Sequence, residues 1–277
     1  MTPEQIKGRL KNIAKEQNVN PNTLMKLFFY ERFLERLSKS TYKDKFILKG
    51  GFYLSTLFGF DRRTTVDVDV SFKNIRFEED FVQTAIKEIA SIDVGDGVRF
   101  TYLKTDQIRD DDEYGGFRIF LQVTLGKMRD TVHLDIGTGD PITPREIEYT
   151  YKPLLFNEPI IVLSYNLETV LAEKLETILR LSDGNTRMKD FYDIYLICQN
   201  SCKNLDMENL KKAVNTTFQK RNYSHNTELQ LKDILASQKL VNQWNIYKND
   251  VNHFYAKDLK FDEVLIPLDS LINSLGI

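Results

Sequence analysis

The sequence has few cysteines and histidines and no long apolar run, as is typical of ordinary cytosolic proteins. Only two of its 277 residues are cysteine and three are histidine, so neither a disulfide framework nor a zinc site is expected. No run of about 18 apolar residues is present and the N-terminus lacks an apolar signal core, so we expect no membrane span and a cytoplasmic protein. The net charge of −2 excludes a broad basic field, so local basic patches would have to hold any nucleic-acid partner.

The apolar pattern divides the chain into a mixed N-terminal part and a helical C-terminal part. Helical spacing predicts helices over 3–17, 23–38, 52–58 and 77–90, the second of them started by Asn22 or Thr23. Short β-branched and aromatic runs predict strands at 46–49, 65–72, 98–103, 117–125, 131–136 and 160–163, with an exposed loop over 106–116. From Leu167 onward the pattern is helical. The sequence therefore predicts a domain of residues 1–163 and a helical lobe of residues 164–277.

Two aspartates lie inside the valine-rich strand at 65–72. Asp67 and Asp69 share one face of this strand with Thr65, and the valines share the other face. Asp135, in the strand at 131–136, can join them if the two strands are neighbours. Three carboxylates in one place repel, each pair by on the order of 4 kcal/mol at contact distance. A hard cation such as Mg²⁺ or Mn²⁺ would neutralise them; the alternative is a half-buried strand with a solvated acidic face.

A glycine pair, Gly50-Gly51, separates the first predicted strand from the next helix. Glycine lets the backbone approach a phosphate, and a helix N-terminus favours an anion, although such a turn alone has no specific meaning. The order of strand, glycine turn, helix, strand with D-x-D and later strand with a third aspartate resembles nucleotidyltransferases of the DNA-polymerase-β type. This resemblance implies an α+β fold, in which a mixed sheet flanked by helices is followed by a helical lobe.

Four longer stretches resemble the AbiEii/AbiGii family of toxin nucleotidyltransferases. They are RFLERLSKSTYKDKFILKGG (32–51), RRTTVDVDVSF (62–72), HLDIGTGDPI (133–142) and LAEKLETIL…RMKDFYDIYLI (171–197). The resemblance implies a catalytic set that comprises the metal ligands Asp67, Asp69 and Asp135, with Lys174 and Asp190. It implies nucleotide binding by Gly50, Gly51, Arg63, Thr65 and Lys174. One departure is Gly51, where some members have a serine whose hydroxyl can contact a phosphate.

The residues of the helical lobe also have simpler interpretations. Lys174 has apolar residues one helical turn away on either side, so it either reaches solvent along the surface or extends toward an anion. Asp190 either favours the dipole of its helix from the first turn or points inward with the isoleucines of its face. Arg63 belongs to a charged loop, contacts a phosphate, or pairs with a buried acid such as Asp190 or Asp193.

A basic stretch over 209–223, NLKKAVNTTFQKRNY, is the candidate for contact with an RNA backbone. Its cations are Lys211, Lys212, Lys220 and Arg221, and two aromatic residues lie among them. The alternative is a solvated helix face.

The family resemblance implies a growth-arresting toxin of bacterial toxin–antitoxin and phage-defence systems. The expected reaction transfers a nucleoside monophosphate from a nucleoside triphosphate to an acceptor hydroxyl. GTP and CTP are the candidate donors, and tRNA is the first candidate for the acceptor. The expected protein partner is a co-encoded antitoxin that represses transcription, with or without binding the toxin. Three rival functions stay open: a nucleotidyltransferase for small molecules or protein hydroxyls, a kinase-like phosphotransferase, and a non-catalytic nucleotide- or RNA-binding module.

Overall fold

A computed structural model describes residues 1–65, 67–73, 77–108 and 115–277, apart from the side chain of Cys202. The chain divides into two units. The first comprises Met1–Gly139 and Ile147–Ser164, and the second comprises Asp140–Glu146 and Tyr165–Ile277. The short segment Asp140–Glu146 thus belongs with the helices of the second unit, although the strand that follows it belongs with the sheet of the first.

Within the described residues, seven strands of the first unit form one mixed sheet in the order β3-β4-β5-β2-β1-β7-β6. The strands are β1 (Phe46–Lys49), β2 (Val68–Phe72), β3 (Val98–Ile108), β4 (Gly116–Leu125), β5 (Met128–Gly137), β6 (Ile147–Tyr151) and β7 (Ile160–Ser164). β2 is parallel to β5 and β1 is parallel to β7, whereas the other neighbours are antiparallel. A mixed sheet with flanking helices is the fold class that the sequence predicts, and it is confirmed.

The helices of the first unit are α1 (Pro3–Glu16), α2 (Pro21–Ser38), α3 (Gly50–Phe58) and α4 (Glu79–Ser91). α2, α3 and α4 contact strands of the sheet and cover one of its faces, and α1 packs against α2. α2 packs against β5, β7 and α4, and it is buried on nearly every side, as its apolar sequence predicts. Even its arginine Arg36 is buried, because the guanidinium donates to both carboxylate oxygens of Asp96, at 2.8 and 2.9 Å. The covered face is therefore the core of the first unit.

The second unit is helical. Its helices are α5 (Leu167–Leu181), α6 (Met188–Ser201), α7 (Met207–Lys220), α8 (Thr227–Ala236), α9 (Gln238–Asn249) and α10 (Phe261–Leu275), with short 3₁₀ turns between some of them. α6 lies at its centre and packs against α5, α9 and α10. Across the part of the chain described, no helix combines the length and the apolar character that a membrane span requires.

Several elements begin at positions other than those that the sequence predicts, α2 and β2 among them. α2 begins at Pro21 rather than after Asn22 or Thr23, because the side chain of Asn20 accepts a hydrogen bond from the amide of Asn22 and proline suits the first helical position. β2 begins at Val68 rather than at Thr65, so Asp67 precedes the strand instead of lying within it; Val66 is outside the described residues.

Two further differences concern β3, β4 and β6. β3 continues to Ile108 and β4 begins at Gly116, so the expected loop at 106–116 is shorter, and residues 109–114 fall outside the description. β6 was not predicted, because its sequence IEYTY has only one aliphatic residue. It forms a strand by pairing with β7 at one edge of the sheet.

Candidate active site

A row of four charged residues crosses the sheet of the first unit, with two neighbouring aspartates flanked by two cations. Asp69 of β2 is in register with Lys49 of β1 and with Asp135 of β5, and Asp135 is in register with Arg118 of β4. Residues in register on neighbouring strands lie about 5 Å apart and point to the same face. The two aspartates are therefore side by side on the face opposite the core, which settles the strand adjacency that the sequence left open.

Arg118 holds Asp135 through both carboxylate oxygens. Its Nε donates to Oδ1 and its Nη2 donates to Oδ2, each at 2.7 Å. These hydrogen bonds, and the charges of Asp135, Asp67 and Asp69, raise the pKa of Arg118 above its already high value against the opposing effect of burial. Arg118 is therefore a cation at one end of the row, in direct contact with Asp135 and within the field of all three carboxylates.

The glycine turn is shaped by the side chains around it. Gly50 has a φ of +70°, and a Cβ at this position would lie 2.5 Å from Oδ2 of Asp69. A Cβ on Gly51 would lie 2.8 Å from Nη2 of Arg63 and 3.5 Å from Cβ of Thr65. The fold thus brings together the five residues Gly50, Gly51, Arg63, Thr65 and Asp69 at the first turn of α3, whose amide groups have no side-chain cap from Lys49.

Asp67 lies at the edge of this group and contacts a histidine. Its Oδ1 is 3.2 Å from Nε2 of His133 on β5, and its side chain is 43% exposed. The amide of His133 donates to the hydroxyl of Tyr30 on α2 at 3.4 Å. Burial, together with the nearby carboxylates, raises the pKa of Tyr30, so it stays a neutral phenol. Asp67 is therefore more accessible from solvent than Asp135, whose side chain is 11% exposed.

The three carboxylates have the right chemistry for Mg²⁺ or Mn²⁺, but they do not form a closed metal cage. Among residues outside the masked positions, no group of three or more His, Cys, Asp or Glu is placed to hold a metal ion. The reason is visible at Asp135, because both of its oxygens accept hydrogen bonds from Arg118. Mg²⁺ in polymerase-type sites is commonly held by one or two carboxylates together with substrate phosphates. Asp67 and Asp69 fit that smaller ligand set.

In the second unit, Lys174 is fixed by two buried aspartates. Its Nζ lies 2.8 Å from Oδ1 of Asp190 and 2.6 Å from Oδ2 of Asp193, and Arg187 donates to the other oxygen of Asp190 at 3.0 Å. Burial opposes ionisation of Asp190, but Lys174 and Arg187 outweigh it and lower the pKa of Asp190 to about 2. Burial lowers the pKa of Lys174, but the two carboxylates outweigh this effect, so the pKa is raised above its usual value. Asp190 therefore points inward, and Lys174 is an ion-paired lysine that is 11% exposed.

The basic stretch at 209–223 does not form a uniform cationic face. Arg221 pairs with Glu176 at 2.9 Å, with Asp140 at 3.4 Å and with Glu173 at 3.5 Å, and it is only 27% exposed. Lys212 pairs with Glu208 one turn earlier on α7, and Lys211 is exposed on the same helix. The assignment of Lys211, Lys212, Lys220 and Arg221 to RNA contact stays a prediction, and Arg221 is already used inside the second unit.

Sequence reasoning missed three residues that lie beside the carboxylates, namely Lys49, Arg118 and His133. Lys49 ends the strand before the glycine turn, and Arg118 and His133 occupy the open-face positions of their strands. The alternation of FRIFLQV signals that Arg118 faces outward. Its partner is set by the register of β4 against β5, and one sequence does not contain that information.

The fold is similar to that of a solved structure described as a nucleotidyltransferase. Among solved structures, the chain resembles the one described as a "putative nucleotidyltransferase from H. pylori", with 15% identity, a TM-score of 0.57, and coverage of 93% of this chain and 96% of that chain. The structure of JHP933 from Helicobacter pylori matches with 14% identity, a TM-score of 0.46, and coverage of 89% and 90%. At such identities, the first of these likenesses supports the fold alone.

The chain belongs to the AbiEii family, the nucleotidyl transferase toxins of type IV toxin–antitoxin systems, whose family model matches residues 32–266. No curated protein is significantly similar to it. The membership confirms the resemblance that the sequence motifs carry. It makes the protein a nucleotidyltransferase toxin that uses a nucleoside triphosphate and has a co-encoded antitoxin.

Proposed function

We propose that this toxin transfers a nucleoside monophosphate from a nucleoside triphosphate to a hydroxyl at the 3′ end of a tRNA, with Mg²⁺ or Mn²⁺ as the cofactor. The observation that carries the proposal is the position of Asp69, which lies against Gly50 on one side and in register with Asp135 on the other. A carboxylate in that place could share a divalent ion with a donor phosphate at the glycine turn, and it lies beside the residue that would face the acceptor on the open face of the sheet.

The donor triphosphate fits the first turn of α3. The amides of that turn have no side-chain cap, and the helix N-terminus attracts an anion. Arg63 is buried beside Gly51 and donates to the carbonyl of Thr64 at 2.5 Å, so its guanidinium is held next to the turn. Gly50, Gly51, Arg63 and Thr65 would then bind phosphate oxygens. GTP and CTP are the donors we test first.

The reaction is an in-line displacement at the α-phosphorus. The acceptor oxygen forms the new P–O bond, the bond to the β-phosphate oxygen breaks, and pyrophosphate leaves. Divalent ions at such a site lower the pKa of the attacking hydroxyl and stabilise the leaving group. Asp67 and Asp69 would hold an ion together with the donor phosphates. We assign the acceptor proton to Asp135, which can take it only after Arg118 gives up one of its two hydrogen bonds.

In the second unit, we assign a phosphate-binding role to Lys174 and a positioning role to Asp190. The lysine ammonium has three N–H donors, and Asp190 and Asp193 engage it from two directions. The remaining donor can serve a phosphate oxygen, while Asp190 keeps the ammonium charged and in place. This division of roles accounts for a lysine and an acid that the family resemblance implies together.

The antitoxin is proposed to act as a transcriptional repressor encoded beside the toxin. Its effect on the toxin then requires no contact with the acidic group of the first unit.

The experiment incubates the purified protein with Mg²⁺, total RNA and each α-labelled triphosphate in turn. We expect label in a tRNA-sized band with one triphosphate and release of pyrophosphate. Asp69→Asn and Asp135→Asn should abolish labelling, whereas the matched control Asp130→Asn, on the same strand β5 but outside the charge row, should keep it.

Each rival function has its own signature, either in this assay or in cells that express the toxin. Release of nucleoside diphosphate would indicate a phosphotransferase, and label in a protein band would indicate a protein nucleotidyltransferase. Growth arrest that survives Asp69→Asn would indicate a binding module without catalysis.

A further inference from the structure

The sheet face that carries the acidic group continues along β3, β4 and β5. Along β4, the half-exposed side chains Arg118, Phe120, Gln122 and Thr124 alternate with the buried ones Phe117, Ile119, Leu121 and Val123. The buried set faces the core, so the half-exposed set lies on the face of Asp135. The polar face of this part of the sheet is therefore continuous with the proposed catalytic site.

The strand register arranges the residues of this face in parallel rows. The first is the row of Asp69, Asp135 and Arg118, which we call the catalytic row, and the others lie at increasing distances from it. In the next row, Phe120 is in register with Lys104 and His133. In the third, Gln122 is in register with Thr101 and Thr131, and in the fourth, Thr124 is in register with Arg99 and Arg129. Successive rows are about 7 Å apart, since they are two residues apart along β4. The face thus extends roughly 20 Å from the carboxylates to the fourth row.

The row nearest the carboxylates contains an aromatic platform. Nζ of Lys104 lies 4.6 Å from the ring centroid of Phe120, and the ring of His133 lies 5.9 Å from it. His133 in turn contacts Asp67. An accessible aromatic ring beside a cation is the combination that stacks an unpaired base and holds its phosphate. Lys104 also pairs with Asp106 at 2.6 Å, so a phosphate would compete with this surface carboxylate.

The charge of the face changes sign along its length. The catalytic row contains Asp69 and Asp135, whereas the fourth row has two exposed cations, Arg99 and Arg129. In the part of the chain that the structure describes, neither arginine forms an ion pair within the protein. Gln122 and the threonines between these ends supply neutral hydrogen-bonding groups. A polyanion whose reactive end lies at the metal site would find its next charges matched by cations farther along.

We propose that the single-stranded 3′ end of the acceptor RNA lies along this face, which we call the acceptor face and define by Lys104, Phe120, Gln122, Arg99 and Arg129. The terminal hydroxyl points to Asp135, a base near the end stacks on Phe120, and the preceding phosphates meet Arg99 and Arg129. This inference rests on the proposed function, because it takes RNA as the acceptor. It moves the RNA contact from α7, where Arg221 is held by three carboxylates, to the sheet.

The test measures RNA binding directly, without triphosphate or divalent ion. The probe is a fluorescent single-stranded RNA oligonucleotide with a free 3′ hydroxyl, and its anisotropy is followed over a salt series. Phe120→Ala and Phe120→Leu should weaken binding about tenfold, since stacking on one aromatic side chain is worth roughly that factor or more. Phe120→Tyr should restore it, which separates stacking from damage to the fold.

The arginine arm of the test uses Arg99→Gln/Arg129→Gln. Loss of two phosphate contacts should reduce the slope of log K against log salt by about 1.4, because each contact on a single strand contributes about 0.7. The comparison variant is Lys211→Gln/Lys212→Gln, which we expect to leave both affinity and slope unchanged.

Three outcomes would overturn the acceptor face: unchanged binding in the Phe120 and arginine variants, loss of binding in the lysine variant instead, or transfer of label to protein by a wild-type enzyme that binds no RNA. The two proposals fail separately. If RNA binding depends on Phe120 but no nucleotide is transferred, the proposed function is refuted and the placement of RNA on this face stands. If tRNA is labelled and neither binding nor transfer depends on Phe120, the proposed function stands and the placement of RNA on this face is refuted.

Discussion

Replacing Gly50 by alanine tests the glycine turn more sharply than any change of an aspartate. Alanine at a φ of +70° costs about 1–2 kcal/mol of backbone strain. In addition, its Cβ would lie 2.5 Å from Oδ2 of Asp69, whereas ordinary contact begins at 3.4 Å. The carboxylate must therefore retreat by about 0.9 Å, and a misplacement of about 1 Å in a catalytic group can cost on the order of 100-fold in rate. We expect Gly50→Ala to lower nucleotide transfer by about that factor.

The matched control for this variant is Gly95→Ala. Gly95 has a φ of +72°, but a Cβ there meets nothing within 4 Å. Both variants should lose similar stability in thermal unfolding, and only Gly50→Ala should lose transfer activity. Gly51→Ser should lower transfer less than Gly50→Ala, because Gly51 does not have a positive φ, although its Cβ would lie 2.8 Å from Nη2 of the buried Arg63, which must shift. Equal transfer rates for Gly50→Ala and Gly95→Ala would refute the steric role of Asp69 at the turn.

Three further predictions concern ion pairs. Lys174→Met should lower the free energy of unfolding of the nucleotide-free protein by about 3–5 kcal/mol in urea titrations, since it leaves the buried Asp190 and Asp193 without this cation. Because the pKa of Asp190 is lowered to about 2, its stabilisation is complete above its unfolded pKa near 4 and is lost as the pH falls toward 2; Asp190→Asn should remove this part of the acid denaturation profile. Arg118→Ala should tighten Mn²⁺ binding, measured by electron paramagnetic resonance, because it frees both oxygens of Asp135.

Each of these predictions has an outcome that would contradict it. Lys212→Met removes an exposed pair and should leave stability unchanged, so equal effects of Lys174→Met and Lys212→Met would contradict the structural role of Lys174. An acid profile of Asp190→Asn that superimposes on wild type would show that its ionisation is not linked to folding. Unchanged Mn²⁺ affinity in Arg118→Ala would show that Arg118 does not compete with the ion.

The local parts of the fold were accessible from the sequence, because they depend on patterns within single elements. The strand Phe46–Lys49 and its glycine turn are examples, since an apolar run and two glycines define them without other parts of the chain. The start of β2 was not accessible, because the valine alternation continues upstream of Val68 although the pairing with β1 does not. The edge strand β6 was missed because its stability comes from pairing with β7 and not from its own composition.

The candidate site shows the same division. The types of residue in it were predictable, because D-x-D and a third aspartate are visible as motifs. The contact between Arg118 and Asp135 was not, because it depends on the register of β4 against β5. The neighbouring of Asp69 and Asp135 depends on the pairing of β2 with β5, whose residues are 66 positions apart along the chain. For Lys174, the sequence allowed a side chain that reaches solvent or one that extends toward an anion. The structure shows that its ammonium pairs with two aspartates of α6.

In the row of Lys49, Asp69, Asp135 and Arg118, a cation flanks the aspartate pair on each side, so the chain supplies its own counter-ions. Domains built around zinc stay unfolded until their ion arrives, because nothing else offsets their ligands. If a divalent ion is the cofactor, as proposed, the flanking cations can offset the aspartates in its absence. A chelator should then abolish nucleotide transfer without lowering the Tm of the protein.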